Sequence, residues 1–194
     1  MDQETPIDGR TRLVEAAMAC VAEHGHHGAT VRRIADKAGV TQGLIRHHFD
    51  GKDALLIEAY RHINGVALSR MQEAAEADYR DSADALDASI RAIFPEALRD
   101  PGQMRVLIAF WGLAVTNPAF AAVQHETNDA FQQFFVDLIT RHFGSRADAG
   151  EIADGIIALA DGLWLACCLQ PRSLTPDDAI KTAIAFCRAR LGEG

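Results

Sequence analysis

Apolar residues recur along the chain at intervals of three and four, and nowhere is there a sustained alternation in steps of two. Leu13, Ala17, Cys20 and Val21 mark one face of a helix that starts at Gly9 or Arg10 and runs to Glu23, with His24 and Gly25 as its exit. Two short helices follow, near Val31 to Ala38 and Gln42 to Phe49. A longer one begins near Lys52 and continues to about Asp81, since Leu55, Leu56, Ala59, Ile63, Val66 and Met71 keep the helical period without a proline. Breaks at Ser82, Pro101-Gly102, Asn117-Pro118, Gly144-Ser145 and Pro171 to Pro176 leave helices near 83–99, 102–116, 118–143, 149–169 and 176–191. Pro95 kinks or splits the first of these. With no hairpin signal between β-branched runs, the chain is predicted to be all-α.

Composition sets the class. Of 194 residues 48% are hydrophobic and 24% charged, which excludes disorder and suffices for one core, or for a small domain and a larger one. The apolar runs Ile156 to Ala160 and Leu163 to Leu169 are cut by Asp161 and fall short of the roughly 20 residues of a bilayer span, so no membrane helix is expected. The chain opens on Asp2, Glu4 and Asp8, where a secretory signal would be basic and then apolar; a cytoplasmic protein is expected. Cys20, Cys167, Cys168 and Cys187 lack disulfide or metal-knuckle spacing and read as buried reduced thiols. Vicinal Cys167 and Cys168 read only weakly as a thiol sensor, because adjacent helical positions point apart. The net charge is −8, yet Thr30 to Arg61 carries six Lys or Arg against four acids, a local +2 that leaves −10 elsewhere. An acidic body with a basic N-terminal segment suits a protein that meets a polyanion with one end.

The informative stretch is Thr30 to Phe49, TVRRIADKAGVTQGLIRHHF. Thr30 can cap a helix whose inner face is Val31, Ile34, Ala35 and Ala38, and Gly39 supplies a left-handed turn. Ala35 is small enough for a second helix to cross close by, with Val40 and Ile45 closing the wedge, and Thr41 is expected to cap that helix through its side chain. These are the requirements of a helix-turn-helix, two helices held at a steep angle with the second offered to a major groove.

The segment GATVRRIADKAGVTQGLIRHHFDGKDALL resembles the DNA-binding part of the TetR family of bacterial repressors, in pattern from Leu13 to Leu56. AFWGLAVTNPAF (Ala109 to Phe120) and ALADGLWL (Ala158 to Leu165) further resemble the BetI-type subgroup, whose best-known member responds to choline. The resemblance implies a nine-helix homodimer that binds a palindromic DNA operator and a small-molecule effector. Residues 1–51 would form a three-helix DNA-binding domain, and 52–194 a larger helical domain for ligand binding and dimerisation through the last two helices. It places Thr41, Gln42, Gly43 and Leu44 at the start of the recognition helix. Gln42 is then the candidate for a base edge, Gly43 for close backbone approach and Leu44 for a thymine methyl. His47 matches the motif, whereas His48 stands where relatives usually carry a phosphate-donating tyrosine, a departure that would make binding pH-dependent. Lys52 sits where the family lysine meets the DNA backbone; Thr30, Arg32, Arg33 and Arg46 are further candidates, Arg46 replacing a residue that is often aromatic.

In the larger domain Phe94, Phe110, Trp111, Phe120, Asp161 and Trp164 are the candidate ligand residues. Asp161 is a carboxylate in an apolar helix and shares a face with Trp164, and rings plus one anion suit a quaternary ammonium or other organic cation. The residues alone allow another account: both tryptophans are core, and Asp161 caps a kink at Gly162 or pairs with an arginine such as Arg141 at the dimer seam. Ile152, Ile156, Leu159, Leu163 and Ala166, with Ile180, Ala183, Ile184, Cys187 and Leu191, form stripes that either pair across a two-fold axis or face their own core.

Catalytic signatures such as a nucleophile elbow, HExxH, a phosphate-binding glycine loop or paired carboxylates do not occur, so no enzyme and no cofactor are expected. His24, His26 and His27 lack a cysteine or carboxylate at supporting spacing, and no metal is expected there. The rival reading is a helical small-molecule-binding or interaction protein without DNA binding.

Overall fold

The computed structural model describes residues 8–77, 82–94, 101–170 and 172–192. Among these the backbone forms nine α-helices and no strand: α1 Gly9–Gly28, α2 Val31–Ala38, α3 Gln42–His48, α4 Lys52–Glu76, α5 Ser82–Ile93, α6 Pro101–Thr116, α7 Pro118–Phe143, α8 Ala149–Leu169 and α9 Pro176–Leu191. The expected kink at Pro95, the final stretch of the fourth helix to Asp81 and the acidic opening at Asp2 and Glu4 lie outside the described residues. The chain divides into two compact units, one of residues up to Ile63 with Gly102–Gln124, the other of Asn64–Pro101 with His125–Gly194.

In the first unit α1 turns Leu13, Ala17, Cys20 and Val21 inward onto Ile34 and Ala35 of α2, Ile45 of α3 and Leu55, Leu56 and Ala59 of α4, all of them buried. Each large side chain in that set contributes on the order of 1.5–3 kcal/mol by leaving water. The helical backbone of α1 breaks at Gly25, φ 66°, where the sequence ends it, and a further turn carries the segment to Gly28. Thr30 caps α2 as expected, its hydroxyl accepting from Arg33 N at 3.3 Å, and Gly39 closes α2 in the left-handed region at φ 65°. Val40 N then donates to Ala35 O at 3.0 Å, which fixes the turn into α3.

Thr41 departs from expectation. It holds the N-cap position, but its side chain makes no capping bond, because Leu44 N donates instead to the Thr41 carbonyl at 3.0 Å. Residues far apart in sequence complete this unit: Val106, Phe110, Phe120 and Val123 join the core built by α1–α4. Tyr60 stacks on Phe110 at a centroid distance of 5.0 Å, Phe110 lies 6.0 Å from Phe120, and the Tyr60 hydroxyl donates to Gln124 Oε1.

In the second unit α8 buries Ile152, Ala153, Ile156, Ala160, Trp164 and Cys167, and α9 buries Ala179, Ala183, Ile184, Cys187 and Leu191. Thr175 caps α9 by accepting from Asp178 N at 3.2 Å, with Pro176 in the first turn. Arg188 of α9 grips Asp87 of α5 through two bonds of 3.1 and 2.8 Å. Ile152, Ile156, Ala183, Ile184, Cys187 and Leu191 therefore face their own core, which settles that part of the stripes read from sequence. The outward face of α8 is a different set, Ala158, Gly162, Leu165 and Leu169, with Ala185, Phe186 and Ala189 exposed on α9. α8 is long and apolar enough to cross a membrane by length and composition, contrary to the reading from uninterrupted runs, but its inner face already packs within this unit.

Candidate DNA-reading surface and ligand site

α3 is short, and one side of it is anchored. Ile45 is fully buried and Phe49 nearly so, while Gln42, Gly43, Arg46 and His47 are exposed on the remaining turns. A Cβ built on Gly43 would touch only Thr41 Oγ1, at 3.7 Å, so the backbone there is open to an approaching group. The Thr41 hydroxyl, freed from capping, is exposed beside it. Leu44 is half-buried and packs toward α1, its Cδ2 lying 3.4 Å from where a Gly9 Cβ would stand; packing accounts for part of its apolar surface.

The remaining candidates are held in different ways. Arg46 is exposed and makes no ion pair among the described residues. His47 and His48 meet edge to face at 4.9 Å, and His48 Nε2 reaches to 3.8 Å from the Gly9 Cβ position, so His48 leans on the start of α1. Arg32 sits 3.8 Å from Asp36, both highly exposed. Arg33 donates to Gly28 O at 2.9 Å, and Lys52 Nζ donates to His26 O at 3.2 Å, so each ties the end of α1 to the start of another helix.

Three arginine and lysine contacts that sequence reading missed hold this surface in place. Arg12 donates from α1 to Ala38 O at the helix-turn-helix corner, and its Nη2 lies 3.3 Å from where a Gly39 Cβ would stand. Arg10 pairs with Glu58 at 2.7 Å and lies over the Phe49 ring at 5.3 Å. Lys37 pairs with Glu23 at 2.7 Å, and that bond lowers the Glu23 pKa. All link positions distant in sequence, and no local pattern announces them.

The six ligand candidates divide between the units. Phe110 and Phe120, at 0% and 1% exposure, are closed within the stack against Tyr60 and present no surface to a ligand in this conformation. Trp111 is half-buried in the same unit. Phe94 and Trp164 are buried in the second unit, where Asp161 lies one turn from Trp164. Asp161 keeps solvent-exposed surface yet is hemmed in by enough protein that desolvation pushes its carboxyl up to about 6. Among the described residues no cation pairs with it, Arg141 included, and α8 runs through Gly162 without a kink.

The cysteines are unreactive by environment. Burial raises the thiol pKa of Cys20, Cys167 and Cys168, and burial with the nearby Asp87 carboxylate takes Cys187 to about 12. Among the described residues no group of three His, Cys, Asp or Glu side chains gathers as a metal site.

Comparison with known proteins agrees with this architecture. Residues 13–59 match the model of bacterial regulatory proteins of the tetR family, and residues 82–192 that of the BetI-type transcriptional repressor C-terminal region. The chain belongs to the TetR family. It is a BetI-type member, a transcriptional regulator and not an enzyme. The regulator BetI 1 of Chromohalobacter salexigens is 30% identical over 188 residues, covering 94% of this chain and 90% of that protein. BetI of Pseudomonas aeruginosa is 29% identical over 185 residues, covering 95% and 93%. A crystal structure of a transcriptional regulator from Pseudomonas aeruginosa PAO1 superposes with a TM-score of 0.82 at 33% identity, covering 94% and 90%. A regulator from Saccharomonospora viridis, solved in complex with choline, superposes at 0.77 with 24% identity, covering 91% and 94%.

Proposed function

We propose that this TetR-family repressor reads its operator with the exposed side of α3 and responds to an organic cation held by Asp161. The observation that carries the DNA half is the division of α3 itself. Ile45 locks the helix down, while Gln42, Gly43, Arg46 and His47 stay exposed next to an unused Thr41 hydroxyl. Gln42 has the donor and acceptor to read an adenine edge, and Thr41, His47 and Arg46 can donate to phosphates. Lys52 retains two further ammonium donors beyond the one on His26 O and serves the same backbone, as do Thr30, Arg32 and Arg33 from α2.

The ligand half rests on Asp161, a carboxylate with no cation beside it among the described residues and with a desolvation penalty that a bound cation would relieve. Trp164 and Phe94 of the same unit are buried at 7% and 5% exposure, and a quaternary ammonium would meet their ring faces only if the packing around them opened. Choline is the first compound to test, and polyamines and other amines the next; the choline-bound neighbour, at 24% identity, speaks for the fold alone. Two copies would pair through the outward faces of α8 and α9, with α4 as the lever between ligand and DNA, and the protein would work in the cytoplasm. We assign residues 1–51 to DNA reading and 52–194 to ligand and dimer.

A thermal-shift screen of choline, betaine aldehyde, polyamines and fatty acids tests the ligand half, because a ligand that binds only the folded state raises the melting point. A cationic hit that disappears in Asp161→Asn supports the site; hits confined to fatty acids reject it. A mobility shift with DNA selected from a random pool tests the other half.

A further inference from the structure

The end of α1 carries a feature that base reading does not use. His26 and His27 lie with ring centroids 3.8 Å apart and planes tilted by 42°, His26 half-buried and His27 exposed. The His26 carbonyl accepts from Lys52 Nζ at 3.2 Å, so the imidazole pair and the ammonium form one cluster at the start of α4. On the reading above, Lys52 meets the DNA backbone, and the two rings stand at the same place. We infer that His26 and His27 are a proton-linked phosphate site, which makes DNA binding tighten as pH falls through the imidazole range.

The charges around the pair favour this linkage. Glu23 is already held by Lys37, leaving its other oxygen 3.7 Å from His24 Nε2, and Arg33 of α2 is anchored on Gly28 O. From α4 the pair meets Lys52, which opposes a proton on His26, and Asp53, which favours one. Burial, His27 and Lys52 together hold the His26 imidazole below its ordinary range, so in the free protein it is neutral near pH 7. A DNA phosphate brought to Lys52 supplies a negative charge that His27 and Lys52 cannot. Protons bind the complex more readily than the free protein, and by linkage the complex forms more readily at lower pH. Each fully linked proton changes the association constant by about tenfold per pH unit.

The site rests on the DNA reading, and one experiment separates the two. Fluorescence anisotropy with a labelled duplex selected from random DNA is run at constant ionic strength between pH 5.5 and 8. Wild type should bind several-fold tighter at pH 6.0 than at pH 7.5, and His26→Gln/His27→Gln should lose most of that gain. His27→Lys, whose charge does not titrate and whose position is exposed, should bind with a flatter pH profile and more tightly at pH 8. Nuclear magnetic resonance of the imidazole protons gives a readout that a structural role would leave still: the titration midpoint of His26 should rise when duplex is added. A pH dependence that survives in His26→Gln/His27→Gln and vanishes in His47→Gln/His48→Gln overturns the inference, as does an unmoved His26 midpoint. Absence of any duplex binding by wild type at every pH from 5.5 to 8 overturns the DNA reading, and this site with it.

Discussion

At single positions the surroundings decide what a side chain does, and Asp161 is the first case. Asp161 has its carboxyl raised above the unfolded value by desolvation, so ionisation works against folding: the penalty is absent below the unfolded pKa, about 4, and complete above about 6. Asp161→Asn should therefore raise Tm at pH 7.5 by roughly 2–4 °C, a figure that allows for solvent screening of a partly exposed group, and give no gain at pH 4. Thermal melts of both forms at the two pH values check this. Gln42 and Lys52 separate in another way. Gln42→Ala should change which bases are preferred with a small effect on overall affinity. Lys52→Ala should weaken binding to all duplexes and reduce the slope of log K against log salt by about 1. A selection experiment on the first and a salt titration on the second test the assignment. The Asp161 carboxylate could be flagged from sequence because a charge interrupts an apolar helix; the idle Thr41 hydroxyl could not, since which of two acceptors Leu44 N chooses depends on how α3 leaves the turn.

At the scale of elements, the helix-turn-helix was legible because its rules are local. Gly39 falls where a left-handed residue is needed, Ala35 is small where helices cross, and the bounds of α2, α8 and α9 follow from caps and prolines in the sequence. The clamps on those helices were not legible, since Arg12 and Ala38 are 26 positions apart and Tyr60 and Gln124 are 64 apart. Gly39→Ala would force a Cβ into a φ of 65° and against Arg12, and should cost about 1–2 kcal/mol with weaker operator binding. Arg12→Ala should cost a similar amount, about 1.5–3 kcal/mol, through the lost charged bond at the same corner. Denaturant melts followed by anisotropy measure both effects. Which faces of α8 and α9 pack inward stayed open in the sequence for a related reason. Apolar periodicity identifies a stripe but not its partner, and the most hydrophobic stripe is the one that the chain's own core takes first.

For the whole molecule, charge separation and self-association are the properties to test. A chain with a net charge of −8 that still binds DNA must do so through its locally basic segment, so its affinity should fall steeply with salt. Leu165 at 38%, Leu169 at 68% and Phe186 at 41% exposure are costly to leave in water, and a two-fold pairing of their helices would cover them. Leu165→Glu/Phe186→Glu should sediment as a monomer and lose at least tenfold in operator affinity, because one copy engages one half-site. Retention of a dimer by that variant would place the interface elsewhere.

The first unit draws Val106, Phe110, Phe120 and Val123 into the same core as Leu13 and Ile45. Anyone wishing to transplant this protein's operator specificity onto a relative, or to express the reading head alone, therefore faces a discontinuous graft. A fragment cut after Ile63 would lay bare Tyr60 and its neighbours and precipitate, whereas a chimera that also carries Gly102–Gln124 keeps the seam closed.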